Sequence, residues 1–533
     1  MIKISVSFAK HMCKYVVKQA VITKDKRGDF GMRITDDIIM YADCHPDKIA
    51  LTSKANKRTF GQLVKNALLI ATKLANLSRK RRSDNRPLLL GLLLNNRCEF
   101  VELFLAASIA GCTAVILDKK WPRKQIEDIV EWYQIDVLVV DDPKDLENII
   151  LKNSIKIDLT NNCKQLYCEE VDLDLIHSVI DNSDLFIGFT SGTTSFPKAF
   201  MRTHQTWLES FIASSQEFKI SAAEHILAPG ALCHGLTLYS VLEGLKLGAS
   251  IFLLDNFEMP AMVYFLRNEN ISTLILVPTM LKKITKNLLN RESFSAVKKI
   301  ITSGSKLESS MLHEIRVIFP NAKLYEYYGA SELGFVTVHD VFSPQPADSV
   351  GRPFYGVEVE FRDDNDRPVG VGEIGTLWVR SKFVIHCYYS GGDGVGFHLK
   401  NGWATVEDQG YRDSQGYIYI ISRRNQVIIS GGLNIYPVEV ESALYSLSEI
   451  SECCVFGLPD SYWGHIVCVA VSWNEGENLS RKELLTRLSK KISKFKLPKK
   501  IFIVHSFLKT SSGKIAVNEM RNWLVEGNCL ELE

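Results

Sequence analysis

The sequence has almost no excess of charge of either sign. Its 63 basic and 61 acidic residues leave a formal net charge of +2. A protein that binds nucleic acid through bulk charge carries a strong basic excess. The balance therefore argues against a nucleic-acid partner, although it does not exclude a local basic site.

Long hydrophobic runs are also missing. The longest, "LLLGLLL" at 88–94, is far too short to span a bilayer and fits a buried strand. Near the N-terminus, Lys3, Lys10 and Lys14 interrupt the apolar residues too early for the core of a secretory signal. We therefore expect no integral membrane segment and a cytoplasmic protein.

The 12 cysteines lack the spacing of metal ligands. Cys163 and Cys168 form a lone close pair, and Cys453 and Cys454 are adjacent within an apolar run. Small buried side chains in a reducing compartment explain this usage better than a disulfide framework or a zinc site.

The order of hydrophobic patterns predicts an α/β fold. With 533 residues, the chain is too long for one simple core. Apolar runs of strand length alternate with helical patterns at 87–142 and again at 249–304. From about residue 350, alternating residues cut by Gly and Asp-Asn turns indicate antiparallel strands. We expect a large N-terminal domain at 1–424, followed by a small, mobile α+β C-terminal domain at 425–533.

The large domain is expected to have three parts. Two α/β-layered subdomains extend to about residue 345, and a small β-barrel-like subdomain covers 346–424. The boundary lies in "SRRNQ", at 422–426.

The stretch "TSGTTSFPK" at 190–198 follows a strand pattern. Its hydroxyls and unhindered backbone amides can donate hydrogen bonds to phosphate oxygens, and Lys198 adds a positive charge. It is not the usual phosphate loop, in which the Lys directly follows a Gly. A flexible surface loop remains the competing explanation.

Three further stretches contain polar residues suited to nucleotide chemistry. Glu332 lies in "YEYYGASELG", Asp408 and Arg423 in "GWATVEDQGYRDSQGYIYIISRR", and Lys514 in "LKTSSGKI". A carboxylate such as Asp408 can accept hydrogen bonds from both hydroxyls of a ribose. Taken singly, each of these residues is as easily a solvated surface charge.

Together and in this order, the four stretches resemble the motifs of the adenylate-forming (AMP-binding) superfamily, in its acyl-CoA synthetase or fatty-acid–CoA ligase branch. The resemblance extends from about residue 35 to 525. In that family a carboxylate attacks the α-phosphate of ATP, pyrophosphate leaves, and a thiol then displaces AMP from the acyl-AMP. The resemblance thus implies ATP, Mg²⁺ and coenzyme A as cofactors or second substrates.

The resemblance also assigns roles to residues. The catalytic residues would be Lys514, Glu332 and Lys198, with Glu332 as the Mg²⁺ ligand. The phosphates would be held by the loop residues Thr190, Ser191, Gly192, Thr193 and Thr194. Adenine and the α-phosphate would be contacted by Gly304, Ser305, Tyr328, Gly329 and Ser331. Asp408 and Arg423 would hold the ribose.

Four more residues belong to the later steps or to the acyl group. Gly431 and Gly432 would let the pantetheine arm pass close to the backbone, and Asn425 would be the hinge. His234, in "APGALCHGLTLY", would line the acyl pocket. Tyr328 and His234 could equally be ordinary buried rings.

Several residues depart from the family pattern. Ser195 and Glu407 stand where the family usually has Gly, and Asn425 stands where the hinge is usually Asp or Lys. If Ser195 needs a positive φ, its side chain would strain the loop by roughly 1 kcal/mol or more. Glu407 brings an extra negative charge near a polyphosphate site. These departures leave open a slow enzyme, or an enzyme with altered closure.

Three functions follow as hypotheses. The first is an acyl-CoA synthetase that acts on a carboxylic acid, with a fatty acid favoured because no Asp is placed to hold an amino-acid ammonium. The second is a stand-alone adenylation enzyme that loads a carrier protein. The third is a nucleotide-binding regulator with impaired catalysis, against which the retained Glu332, Asp408 and Lys514 argue. A homodimer stays open.

Overall fold

The computed structural model describes most of the chain in thirteen segments, which are residues 33–54, 56–80, 86–146, 155–159, 166–177, 184–190, 198–289, 291–346, 348–389, 396–423, 426–431, 433–510 and 514–532. The chain forms two compact units. The first comprises residues 1–345, 353–357 and 380–395, and the second comprises residues 346–352, 358–379 and 396–533.

The described helices are numbered α1–α13 in chain order. Those of the first unit are α1 (Asp36–Cys44), α2 (Phe60–Lys80), α3 (Cys98–Ile109), α4 (Arg123–Trp132), α5 (Leu173–His177), α6 (His204–Phe218), α7 (Gly235–Lys246), α8 (Met259–Asn268), α9 (Pro278–Leu288) and α10 (Leu312–Ile318). Those of the second unit are α11 (Pro437–Tyr445), α12 (Arg481–Leu488) and α13 (Val517–Val525).

The described strands are numbered β1–β27. The strands up to residue 353 are β1 (Ile49–Thr52), β2 (Lys57–Thr59), β3 (Leu89–Leu93), β4 (Thr113–Ile116), β5 (Val137–Val140), β6 (Ile155–Asp158), β7 (Asp184–Thr190), β8 (Lys198–Thr203), β9 (His225–Ala228), β10 (Ser250–Leu253), β11 (Thr273–Leu276), β12 (Lys299–Thr302), β13 (Lys323–Ala330), β14 (Gly334–Asp340) and β15 (Arg352–Pro353). The strands of the second unit are β16 (Glu358–Arg362), β17 (Gly375–Arg380), β18 (His398–Lys400), β19 (Trp403–Thr405), β20 (Asp408–Arg412), β21 (Ile418–Arg423), β22 (Ile428–Ser430), β23 (Leu433–Ile435), β24 (Ile450–Asp460), β25 (Gly464–Trp473), β26 (Lys500–Ile503) and β27 (Leu530–Glu531).

The first sheet of the first unit has the order β6-β5-β3-β4-β7-β8. Its neighbours pair in parallel except for the antiparallel β7–β8 hairpin at one edge. All five residues of β3 are buried, which explains why this strand is apolar throughout rather than alternating. Helix α3, which follows it, is buried over nearly its whole length.

The second sheet has the order β15-β14-β13-β12-β11-β9-β10-β1-β2. Strands β11, β12 and β13 pair in parallel, so their carboxyl ends meet at one edge of the sheet. Buried apolar residues from these strands and from α8, α9 and α10 form one core, in which Leu274, Ile300 and Leu324 are fully buried. The residues after β12 and at the end of β13 are therefore placed side by side.

The second unit contains two more sheets. One has the order β18-β19-β17-β20-β21, with β16 also paired to β17, and the other has the order β23-β22-β25-β26-β27, with β24 paired to β25. Helix α12 begins with a capping box between Ser480 and Glu483. Val469 and Leu484 lie in the core between the second of these sheets and its helices.

The mixed α/β fold that the sequence predicts is confirmed, and so are the two runs of strands alternating with helices. None of the helices in the described part of the chain combines the length and apolar character that crossing a membrane requires. The two compact units divide the chain at other positions than the predicted boundary between residues 424 and 425, which stays a prediction.

Candidate functional site

The β7–β8 hairpin holds the two ends of the predicted phosphate loop. Thr190, the last residue of β7, pairs with Lys198, the first residue of β8. Both side chains are half-buried. The predicted residues Ser191, Gly192, Thr193 and Thr194, together with Ser195, lie outside the described residues. The described structure therefore fixes Lys198 at the mouth of this loop.

The turn after β13 carries Glu332, whose residue is only 7% exposed. The hydroxyl of Tyr388 donates a hydrogen bond to Glu332 Oε1 at 2.8 Å. The ammonium Nζ of Lys198 lies 5.7 Å from the centroid of the Tyr388 ring. Tyr388 thus joins the predicted phosphate cation to the predicted magnesium ligand.

Strand β8 positions this tyrosine through its backbone. Phe200 forms an isolated antiparallel bridge with Tyr388, and the amide of Tyr389 donates to the carbonyl of Ala199 at 2.8 Å. The amide of Ile385 donates to the carbonyl of Glu332 at 3.0 Å. The segment 385–389 is therefore tied at one end to the Glu332 turn and at the other to the strand that begins at Lys198.

A buried cation, Arg202, braces the same turn from within β8. Its guanidinium donates to the carbonyl of Ser331 at 2.5 Å and also to the carbonyl of Phe383. Burial lowers the pKa of Arg202 to about 10, although the nearby Glu332 carboxylate opposes that shift. At neutral pH the side chain is therefore a buried positive charge, and Glu332 is its counter-charge.

The geometry fits a magnesium ligand at Glu332. Within the described residues, its Oε1 is engaged by Tyr388, and no hydrogen bond is made to its Oε2. Carboxylate oxygens are the ligands that Mg²⁺ prefers, and a second partner on the same carboxylate fixes its orientation.

The predicted adenine-side residues meet at the carboxyl ends of β12 and β13. The hydroxyl of Ser303 donates to the carbonyl of Tyr327 at 2.8 Å, which joins the two strand ends. Gly304, Ser305 and Ser331 are exposed, and Tyr328 is half-buried. A Cβ added to Gly329 would lie 2.2 Å from the carbonyl oxygen of Gly334, so the turn that carries Glu332 requires glycine there.

His234 lies at the N-terminus of α7 and is part of a different group of side chains. Its Nε2 is 4.0 Å from Asp118 Oδ2, and its side chain is 30% exposed. A small cavity farther along the inner face of α7 is lined by Leu236, Tyr239, Glu243 and other residues. Burial raises the pKa of Glu243 to about 8, which favours its protonated form near neutral pH.

The second unit carries the predicted ribose residues. Asp408 begins β20, is only 5% exposed, and faces Arg423 of β21 across the antiparallel pair. The side chain of Arg423 lies outside the described part of the structure. A buried carboxylate at the end of a strand is suited to accept hydrogen bonds from a diol.

Glu407 adopts the left-handed conformation, with a φ of 64°. Its amide donates to Thr405 Oγ1 at 2.9 Å, and its Oε1 lies 3.0 Å from His398 Nε2. The residue that stands where the family usually has glycine thus keeps the backbone conformation that glycine adopts most easily.

We expect the substitution Glu407→Gly to raise the free energy of unfolding by about 1 kcal/mol, because a left-handed φ costs a non-glycine residue roughly 1–2 kcal/mol. The exposed pair with His398 contributes little. Urea denaturation measures the change. Asn401→Gly is the matched control, since Asn401 also has a positive φ of 52° but asparagine tolerates it. A Glu407→Gly midpoint at or below that of wild type would contradict the strain.

The remaining predicted residues lie elsewhere in the second unit. Gly431 is exposed with a φ of 58°, and a Cβ there would lie 2.9 Å from the ring of Trp463. Gly432 and Asn425 lie outside the described residues. Lys514 is exposed on a short hairpin in which the amide of Thr510 donates to the Lys514 carbonyl at 2.7 Å.

The sequence did not point to Arg202, Tyr388 or Glu243. Arg202 is a charged residue at a buried position of β8, and the carbonyls that it binds belong to Ser331 and Phe383, far along the chain. Tyr388 lies in "HCYYS", which has no feature that separates it from an ordinary core aromatic. Its role depends on its contact with Glu332, a residue that is distant from it in the chain.

Comparison with known proteins gives matches over nearly the whole chain. The family model described as AMP-binding enzyme matches residues 40–389, and the model of the AMP-binding enzyme C-terminal domain matches residues 439–514. The uncharacterized acyl–CoA ligase YhfT of Bacillus subtilis is 33% identical over 497 residues, which cover 93% of this chain and 99% of the relative.

Two further proteins are similar at lower identity. VraA of Staphylococcus epidermidis, named provisionally as a long chain fatty acid-CoA ligase, is 28% identical over 93% of this chain and 99% of its own length. The structure of the o-succinylbenzoate CoA synthetase MenE from Bacillus subtilis, in complex with the acyl-adenylate intermediate OSB-AMP, is 25% identical. It superposes with a TM-score of 0.79 over 92% of this chain and 97% of that one.

Proposed function

The chain belongs to the AMP-binding enzyme family, and on that premise we propose that it activates a fatty acid with ATP and transfers the acyl group to coenzyme A. It is an acid–thiol ligase. In the first step a carboxylate oxygen bonds to the α-phosphorus while the bond to the β-phosphate breaks, and pyrophosphate leaves. In the second step the coenzyme A thiol gives up its proton and attacks the acyl carbon, and AMP leaves.

The observation that supports the first step best is the Lys198–Tyr388–Glu332 arrangement. It places a cation and an oriented carboxylate at the mouth of a hydroxyl-rich loop. Lys198 would bind oxygens of the β- and γ-phosphates, and Glu332 would hold the Mg²⁺ that accompanies ATP. Bound Mg²⁺ supplies positive charge that neutralises phosphate oxygens as pyrophosphate leaves.

The other predicted residues supply recognition and charge. Asp408 would accept hydrogen bonds from the ribose hydroxyls, with Arg423 beside it. Tyr328, Gly304 and Ser305 would lie along adenine, and Ser331 at the α-phosphate. Lys514 would place its ammonium at the attacking carboxylate and the α-phosphate, where negative charge grows in the transition state.

Residues 425–533 would act as a mobile C-terminal domain with its hinge at Asn425. Between the two steps Lys514 would leave the reacting atoms, and Gly431 and Gly432 would admit the pantetheine arm. Because Lys514 would act only in the first step, we expect that mutation of Lys514 separates the two half-reactions.

A fatty acid is favoured by the surroundings of α7. The small cavity there is lined by apolar side chains together with Tyr239, Tyr327, Ser240 and Glu243, whose pKa burial raises to about 8. A neutral acid at its wall leaves no negative charge to hold an ammonium group, and this favours a carboxylic acid without an ammonium over an amino acid. His234 would lie at the near end of the same helix.

The test is pyrophosphate release with a panel of acids and two acceptors. The panel contains fatty acids of increasing length, o-succinylbenzoate and amino acids, each with coenzyme A or with a phosphopantetheinylated carrier protein. We expect turnover with fatty acids and AMP release with coenzyme A. Turnover with amino acids alone or with o-succinylbenzoate alone would contradict the fatty-acid proposal. AMP release with the carrier protein alone would contradict the proposed acceptor.

A further inference from the structure

Three metal-ligating side chains converge beside α7, outside the groups assigned to ATP. Potential ligand atoms of Asp118, Cys233 and His234 all lie within 4.8 Å of one another. They are a carboxylate oxygen, a thiol sulfur and an imidazole nitrogen. They come from two places in the chain that the first unit brings together, so the cysteine spacing in the sequence did not reveal them.

The fold holds the two sides of this cluster in place. Asp118 follows β4, and its Oδ1 accepts a hydrogen bond from the amide of Lys120 at 2.9 Å. Cys233 and His234 end the loop that precedes α7. That loop is fixed by the buried amide of Asn96, which donates to the carbonyl of Gly230 at 2.6 Å and accepts from the amide of Leu232 at 2.7 Å.

The second carboxylate oxygen of Asp118 points to a ligand. Asp118 is 5% exposed, and its Oδ2 is buried without a hydrogen-bond partner among the described residues. The 4.0 Å to His234 Nε2 is too long for a hydrogen bond. A buried carboxylate oxygen without a donor is destabilising by about 1–3 kcal/mol or more, and a cation would remove that penalty.

We propose that Asp118, Cys233 and His234 bind a divalent cation of the zinc type, with a fourth position open to water or another ligand. A sulfur, a nitrogen and an oxygen ligand select Zn²⁺ over Mg²⁺, which takes oxygen ligands. The site is therefore chemically distinct from the one at Glu332. Thiolate, carboxylate and neutral imidazole together balance the two positive charges of the ion.

The three potential ligand atoms lie somewhat farther apart than the ligand atoms of a tetrahedral metal site. With metal–ligand bonds of about 2.0–2.3 Å, the ligand atoms of a tetrahedral site lie roughly 3.4 Å apart. Side-chain rotations of Cys233 and His234 would shorten separations that are now at most 4.8 Å by up to about 1.4 Å.

Metal binding must also remove a proton from the thiol. Burial, and secondarily the charge of Asp118, raise the pKa of the Cys233 thiol, whereas the nearby Lys120 lowers it. Each ion bound would therefore release one proton from the cysteine. That release is measurable as a dependence of the binding enthalpy on the buffer.

The test is titration of the tag-free, chelator-treated full-length protein with Co²⁺, whose bond to a thiolate gives a charge-transfer absorption band. We expect a band that saturates at one Co²⁺ per chain and is displaced by Zn²⁺. The variant Cys233→Ala should lose the band, and Asp118→Asn should weaken Co²⁺ binding at least about 10-fold, because losing even a group that only orients a metal ligand costs about 10–100-fold. Cys44→Ser, at an exposed cysteine, is the matched control and should keep the band.

Two results would overturn the proposal. One is the absence of a thiolate band in the wild-type protein, and the other is an equal band in Cys233→Ala. Circular dichroism of each variant shows whether a lost band reflects loss of the site or loss of the fold. The conservative variant Cys233→Ser should also lose the thiolate band. Glu332→Gln should leave the Co²⁺ band unchanged, so the outcome does not depend on whether the proposed ligase reaction occurs.

Discussion

Replacing Lys514 with alanine is expected to slow acyl-AMP formation by about 10²–10³-fold, the size of the loss when one charge-stabilising donor is removed from a transition state. Thioester formation from supplied acyl-AMP should stay near the wild-type rate, because Lys514 is not proposed to act in that step. The two half-reactions are measured separately, by pyrophosphate release and by acyl-CoA formation from synthetic acyl-AMP.

The hairpin that carries Lys514 should keep its structure in this variant. The hydrogen bonds between Thr510 and Lys514 use the backbone of Lys514, and Lys509 bridges to Ile515 across the hairpin. Alanine keeps all of these contacts. The matched control is Lys509→Ala, which removes an equal charge from the same hairpin and breaks only a surface pair, 2.6 Å from Glu452 Oε1.

Lys509→Ala should therefore keep both half-reactions. If Lys514→Ala lost both half-reactions equally, its effect would lie in the fold or in nucleotide binding. If it lost neither, Lys514 would have no role in adenylation.

Replacing Glu332 with glutamine should lower pyrophosphate release at least about 10²-fold at a fixed Mg²⁺ concentration, because the proposed metal ligand loses its charge. The amide oxygen can still accept the hydrogen bond from Tyr388, so the local shape is kept. The Mg²⁺ dependence of pyrophosphate release is the measurement. A variant with the wild-type Mg²⁺ dependence would show that Glu332 does not hold the ion.

Because Glu332 is also the counter-charge of the buried Arg202, the glutamine variant loses stability as well. Tyr388→Phe avoids that complication, since it removes one hydrogen bond from Glu332 and leaves both charges in place. We expect the Mg²⁺ concentration that gives half-maximal pyrophosphate release to rise by about 10–100-fold, the usual effect of removing a group that orients a metal ligand. Tyr389→Phe, at the adjacent half-buried tyrosine, is the control and should behave as wild type. Equal behaviour of the two tyrosine variants would contradict the role of Tyr388.

The strands and helices of the first unit could be predicted because each run carries its own signal. The apolar run at 88–94 becomes β3, which is buried throughout, and the helical pattern after it becomes α3, which is buried over nearly its whole length. Lys198 and Glu332 were predicted from motif resemblance. The structure adds that Tyr388 joins them.

The contacts that connect distant residues could not be predicted in this way. Arg202 binds two carbonyls far along the chain, and nothing in "KAFMRT" distinguishes an inward arginine from an outward one. The same holds for the cluster of Asp118, Cys233 and His234, whose parts are more than 100 residues apart in the chain and meet beside the loop that Asn96 anchors. Glu407 is an intermediate case, because the departure from glycine is visible in the sequence but its positive φ is not.

The measurement that tests the ligase account most directly is the fate of oxygen from the acid. The protein is given a fatty acid with both carboxylate oxygens labelled with ¹⁸O, ATP, Mg²⁺ and coenzyme A, and the products are analysed by mass spectrometry. Attack of the carboxylate on the α-phosphate, followed by thiol displacement, leaves one ¹⁸O in AMP and one in the acyl-CoA. Label in inorganic phosphate, or acyl-CoA formed with unlabelled AMP, would contradict the acyl-adenylate mechanism.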